Sequence, residues 1–174
     1  AREVAAVLGK ELKEPALDYT ADDVKKENFK VSVLAQDICP RYTAHYVHDV
    51  KISESPAWMR RRLALVGNNS ISNIVDITNY IMRELGQPLH AFDCDYLEGN
   101  AICIRRATEG EKIVTLDEKE FTLNTNNLVI CDGKKPVALA GIMGGLNSEI
   151  RDTTTEVMFE AAKFARDNIR KSSR

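Results

Sequence analysis

Between Ser72 and Leu85, the residues Ile74, Ile77, Thr78, Ile81 and Leu85 recur at i, i+3, i+4, i+7 and i+11, the spacing of one buried stripe on an α-helix. Ser72 or Asn73 can cap the start of that helix, and Gly86 can supply the left-handed residue that ends it. Immediately beyond, Gln87-Pro88 forces extended backbone, because a residue before proline is pushed out of the helical region. The chain must therefore turn back along the helix. That return is expected to carry His90 toward Thr78 and Asn79, and three neutral polar groups converging beside an apolar stripe make a small-molecule pocket. The alternative is structural: Thr78 and Asn79 bond the helix backbone, and His90 fills a place in the packing.

The rest of the chain divides around this helix. Lys30 to Leu34 alternates like a strand, and Arg41 to Val50 reads as a second, with Tyr42, Ala44 and Tyr46 on one face. Ser55-Pro56 provides a cap and a first-turn proline for a helix through Trp58, Leu63 and Val66, closed by Gly67. Downstream the period becomes two. Ala101 to Arg106, Lys112 to Leu116, Glu120 to Leu123, Leu128 to Cys131 and Pro136 to Ala140 read as strands, the last four as two hairpins. Helices and strands come in blocks without regular βαβ alternation, which predicts an α+β fold of mixed and antiparallel strands packed with helices. Residues 1–29 read as a helix stopped by Gly9 and a charged linker, and residues 30–174 as the domain proper. The first residue is not Met and the last helical pattern has no stop signal, so both ends read as cut from a longer polypeptide.

Composition narrows the function. The chain is 44% apolar with no run of 18 apolar residues and no signal-like start, so a soluble intracellular protein is expected. A net charge of −2 argues against bulk electrostatic binding of nucleic acid, and any RNA contact has to be local. Arg60-Arg61-Arg62 and the tail residues Lys163, Arg166, Arg170, Lys171 and Arg174 are the candidate patches, though a solvated helix face accounts for each equally well. The four cysteines are widely spaced and have no histidine at ligand spacing, so neither a zinc site nor a disulfide framework is expected.

Two further features bear on a site. Ala140-Gly141-Ile142-Met143-Gly144-Gly145 lacks both the Lys-Ser/Thr of a P-loop and the dinucleotide spacing. Its glycines suit either a tight turn or a wall that a ligand approaches closely. Glu160 lies in the apolar run Val157 to Ala162, where a carboxylate is costly to bury unless it meets a donor and trivial if it faces outward.

The pattern Asn-x-x-Asp-x-Thr-Asn-Tyr from Asn73, followed by Glu-Leu-Gly-Gln-Pro-Leu-His-Ala-Phe-Asp to Asp93, resembles the B3/B4 domain of bacterial phenylalanyl-tRNA synthetase beta subunits. Cys39-Pro-Arg-Tyr-Thr-Ala44, Pro136 to Gly145 and Glu156-Val-Met-Phe-Glu160 extend the resemblance in the same order, from about Val31 to Arg174.

In that family the domain is an editing site that hydrolyses tyrosine wrongly attached to phenylalanine tRNA. The physical need is clear. A phenylalanine pocket rejects an added hydroxyl only about a hundredfold, whereas a site built to bond the hydroxyl rejects its absence by about 10⁴–10⁵, or roughly 5–7 kcal/mol. The resemblance implies that Glu160 accepts the tyrosine hydroxyl proton, that Gly141 and Gly144 line the side-chain pocket, and that Ala138 and Ala140 keep it open. It places Thr78, Asn79, Pro88 and His90 near the amino-acid backbone and ester, with His90 either orienting water or acting as base. It further implies phenylalanine tRNA mischarged with tyrosine, the synthetase alpha subunit and the remaining beta-subunit domains as partners, with no DNA or membrane. A cytoplasmic location follows. No cofactor is expected in the fragment, with ATP and Mg belonging to the parent ligase. A non-catalytic RNA-docking scaffold is the competing expectation, and it requires an exposed Glu160.

Overall fold

The structure is a computed structural model that describes residues 1–13, 19–21 and 24–173. Parts of the expected linker and Arg174 lie outside the described residues. In chain order the elements are α1 (Arg2–Leu8), β1 (Lys30–Val33), β2 (Arg41–Val47), α2 (Ala57–Leu65), α3 (Asn73–Leu85), β3 (Leu89–Asp93), β4 (Ala101–Arg106) and β5 (Lys112–Val114). Then follow β6 (Glu120–Thr122), β7 (Leu128–Cys131), β8 (Pro136–Leu139), β9 (Met143–Gly144), β10 (Val157–Lys163) and α4 (Arg166–Ser172). The mixed α+β class agrees with the expectation from sequence.

Two sheets carry the fold. One is five-stranded in the order β1-β4-β7-β8-β9, with β1 and β4 parallel and the other pairs antiparallel. The other is the antiparallel trio β2-β10-β3. Phe92 and Met158 from the trio and Ile102, Ile104, Ile130 and Ala138 from the larger sheet share one buried cluster, so the two sheets lie face to face. Phe92 is fully buried, and truncating such a side chain costs about 3–5 kcal/mol. The outer face of the trio is covered by α3, through Ile74 against Ala91 and Val157. The outer face of the larger sheet is covered by the β5–β6 hairpin, through Ile113 against Val129 and Leu139.

The central helix has the ends its sequence predicts. The Ser72 hydroxyl accepts from the Val75 amide at 3.5 Å, and Gly86 at φ 74° ends the helix in the left-handed region. Its buried face keeps Ile74 and Thr78 of the expected stripe but adds Asp76, which the stripe did not include. Leu85 is half exposed. Asp76 is drawn inward by the Ser55 hydroxyl at 2.5 Å, the Ser70 hydroxyl and the Ile71 amide at 2.9 Å. The same bond removes Ser55 from its expected role as cap of α2, which begins without a side-chain cap.

Candidate functional site

Register decides what meets what in the three-stranded sheet. Glu160 of β10 stands opposite Ala44 of β2 on one side and His90 of β3 on the other, and residues directly opposite share a face. Because β3 alternates, Ala91 packs toward Ile74 of α3 and the His90 side chain points the other way. The histidine expected beside Thr78 and Asn79 is therefore paired with Glu160, on the face that looks across to the larger sheet. In that larger sheet Ile130, Ala138 and Gly144 form the corresponding row.

Between these rows, at the β3 and β9 ends, lies a cavity of about 960 Å³. Pro88, His90, Ala138, Gly141, Gly144 and Glu160 all line it. Ala140 does not. It is 1% exposed in the core cluster behind the wall. Thr78 and Asn79 do not line the cavity either, and Met82, one turn further along α3, is the residue of that helix that does. The Thr78 hydroxyl donates to the Val75 carbonyl at 2.7 Å, the backbone bond that its sequence also permitted.

The glycine loop resolves into two jobs. Gly141 turns the chain at φ 68°, and a Cβ there would come within 3.0 Å of Phe164 and 3.1 Å of Ile169. Gly144 makes room for the histidine, since a Cβ on it would sit 2.4 Å from the His90 Cε1. The turn and the pocket wall are thus separate residues of one loop.

Two buried titratable groups of the cavity, Glu160 and His90, are both held away from their charged forms. Burial pushes the Glu160 carboxyl up to about 7, opposed only by the Tyr42 hydroxyl, which donates to it across a long 3.4 Å. Burial likewise lowers His90 to about 4, so the imidazole is neutral at pH 7. Its Nε2 is buried with no hydrogen-bond partner among the described residues, and the ring is held edge-on to Phe92 with centroids 4.6 Å apart. An acceptor with spare lone pairs and an unpartnered imidazole nitrogen therefore share one mostly apolar cavity, which is the composition of a site that orients a small polar molecule.

Glu160 is only 7% exposed, the opposite of what a plain scaffold requires. No group of three or more His, Cys, Asp or Glu side chains among the described residues is placed to hold a metal ion. No described helix is long and apolar enough to cross a membrane. Tyr42 had no role assigned from sequence. The alternation of Tyr42, Ala44 and Tyr46 placed it on one face with the right neighbours, but the pairing of β2 with β10 that brings it to Glu160 is not visible locally.

Comparison with known proteins adds a family. Residues 38–174 match the model of the B3/4 domain. Over its whole length the chain is 55% identical to the phenylalanine–tRNA ligase beta subunit of Syntrophus aciditrophicus and 50% identical to that of Bdellovibrio bacteriovorus. It spans 22% of each of those relatives. Its fold is similar to the crystal structure of an N-terminal fragment of the phenylalanyl-tRNA synthetase beta-subunit from Pyrococcus horikoshii. That likeness has a TM-score of 0.60 at 17% identity and covers 96% of this chain and 51% of that one.

Proposed function

Because the chain belongs to the B3/4 domain family, we propose that it is the editing domain of a phenylalanine–tRNA ligase beta subunit and hydrolyses the ester of tyrosine mischarged on phenylalanine tRNA. The observation that carries this reading is Glu160, a buried carboxyl in a cavity wall with one long hydrogen bond and unused acceptor capacity. A tyrosine phenol entering the cavity donates to that carboxylate, and such charged bonds contribute about 1.5–3 kcal/mol net. Phenylalanine would leave the carboxylate buried and unpaired, which accounts for the rest of the discrimination.

Ester hydrolysis asks less of the protein than peptide hydrolysis, because an aminoacyl ester is already activated. His90 offers a neutral Nε2 that can accept from one water and hold it against the carbonyl. With its pKa lowered to about 4, the imidazole is a weak base at pH 7, so it positions water and is not an obligatory proton acceptor. Gly144 leaves the ring room that a Cβ would take, 2.8 Å from that nitrogen, and Ala138 and Gly141 line the side-chain space. Pro88 lines the same wall, together with Met82 of α3. On this reading the domain needs no cofactor of its own. ATP and Mg belong to ligation elsewhere in the ligase, the alpha subunit and the other beta-subunit domains are its partners, and its place is the cytoplasm.

The test is calorimetric titration of tyrosine and then phenylalanine into the chain and its Glu160→Gln variant at pH 8, followed by hydrolysis of tyrosyl-tRNA. Tyrosine binding that phenylalanine lacks and the variant loses is the expected result. Equal binding of both amino acids would remove the hydroxyl-reading role. A loss in hydrolysis above about a thousandfold on His90→Ala, with tyrosine binding intact, would make His90 an essential base instead.

A further inference from the structure

The mouth of the cavity carries three cations that the pocket chemistry leaves unused. Lys163 ends β10, Arg166 opens α4, and Arg170 follows four residues later on the same side of that helix, and all three line the cavity that holds Glu160 and His90. All three are exposed, and none makes an ion pair or side-chain hydrogen bond with a described residue. Several other cations are matched: Arg105 with Glu111, Arg106 with Asp37, Lys112 with Glu120, and Lys134 and Lys135 with Glu98. Asp167 is the acidic residue within α4, and it pairs with none of the three.

We propose that Lys163, Arg166 and Arg170 form a phosphate subsite that holds the last phosphodiester of the RNA 3′ end while its aminoacyl ester enters the cavity. The inference rests on the reading of that cavity as a tyrosyl-ester site. A tyrosyl side chain and an ester are both neutral, so the interior needs no cation, and the strong anion of an aminoacyl-RNA end is its phosphate. Lys163 lies three residues beyond Glu160 on one strand, about 10 Å along it at roughly 3.3 Å per residue. That separation lets the phenol and the sugar-phosphate of one ligand be held at once. Two guanidinium groups match phosphate oxygens in a way that ammonium groups alone do not. The rim also stays out of the pocket's proton balance. Burial sets the acidity of Glu160, opposed only by Tyr42, with no pull from the three cations. A chain of net charge −2 has to grip RNA at a local patch, and this rim is such a patch beside the reacting bond.

The test uses 3′-tyrosylamido-3′-deoxyadenosine, whose amide resists hydrolysis, with and without a 5′-phosphate, titrated into the chain at about 50 and about 300 mM salt. The phosphate is expected to raise affinity about tenfold at low salt and clearly less at high salt. Replacing all three residues by glutamine is expected to cut the gain below about twofold, while Arg166→Lys with Arg170→Lys keeps the charge but not the fork geometry and retains only part of it. A phosphate gain that is the same at both salt concentrations, or the same in the triple variant, overturns the assignment, and the salt comparison needs only the unaltered chain. Adenosine 5′-monophosphate binding as tightly as the phosphorylated probe would make this a free-nucleotide site and overturn it too. A phosphate gain shared equally by the phenylalanyl analogue leaves the rim standing and removes the hydroxyl reading of Glu160. A tyrosyl preference with no phosphate gain does the reverse.

Discussion

Two buried carboxylates in this molecule behave in opposite ways. Asp76 is fully buried on α3 and Glu160 is nearly so on β10. Burial alone pushes both pKa values upward, but at Asp76 the hydroxyls of Ser55 and Ser70 and the amide of Ile71 outweigh it and hold the carboxyl below its ordinary value. Glu160 has the Tyr42 hydroxyl at 3.4 Å, and its pKa rises to about 7. Depth does not separate a structural carboxylate from a ligand-reading one. The number of donors that the fold itself supplies does.

The largest effect expected from this contrast is on stability. Asp76→Ala leaves two hydroxyls and an amide without their acceptor and is expected to cost about 3 kcal/mol in urea unfolding at pH 7. Glu160→Gln at pH 8 is expected to be neutral or stabilising, because it removes a carboxylate that the fold barely solvates. Matching losses at the two positions would break the comparison.

The pH dependence sharpens it. Glu160 has a folded value of about 7 against 4.5, so its contribution is fully present below about pH 4.5 and is lost as pH rises to 7. His90 has a folded value of about 4 against 6.5, so its contribution is present above 6.5 and is lost as pH falls toward 4. The two slopes oppose and largely cancel between them, each worth on the order of 3 kcal/mol at about 1.4 kcal/mol per unit. Unfolding measured from pH 4.5 to 7 should therefore show stability rising with pH in Glu160→Gln and falling with pH in His90→Gln. A flat profile in both variants would contradict the burial of these groups.

Smaller effects separate neighbouring glycines. A Cβ at Gly145 would meet the Val137 carbonyl oxygen at 2.6 Å, so Gly145→Ala is expected to destabilise by about 1–3 kcal/mol. At Gly144 the nearest obstacle is the His90 ring, so Gly144→Ala is expected to cost less stability and more ligand binding, as calorimetry with tyrosine would show. Smallest of all is Tyr42→Phe. It removes the donor that opposes burial at Glu160, so tyrosine binding should keep its preference while its pH midpoint moves upward.

What was legible in the sequence follows the range of the interactions. Ser72 and Gly86 mark the ends of α3 through contacts within a few residues, and β4 and β7 run over the residues that their alternation predicts. The inward placement of Asp76 was hidden because its donors come from residues as far back as Ser55. The site was partly legible in the same sense. Pro88, His90, Ala138, Gly141, Gly144 and Glu160 do share one cavity, but the histidine was expected on the side of Thr78. Facing in a strand depends on register, and the register that pairs His90 with Glu160 is set across 70 residues of chain. The two-residue strand β9, which brings Gly144 against His90, is too short to leave a pattern.

The account turns on whether Glu160 is an under-partnered acceptor that a phenol completes. The most direct measurement is a carboxyl-carbon NMR titration of Glu160 from pH 4 to 9, in the free chain and with saturating tyrosine or phenylalanine. The account predicts a free midpoint near 7, moved downward by tyrosine and not by phenylalanine, because a donor to the charged form favours it. A free midpoint near 4.5, or the same displacement by both amino acids, would contradict it.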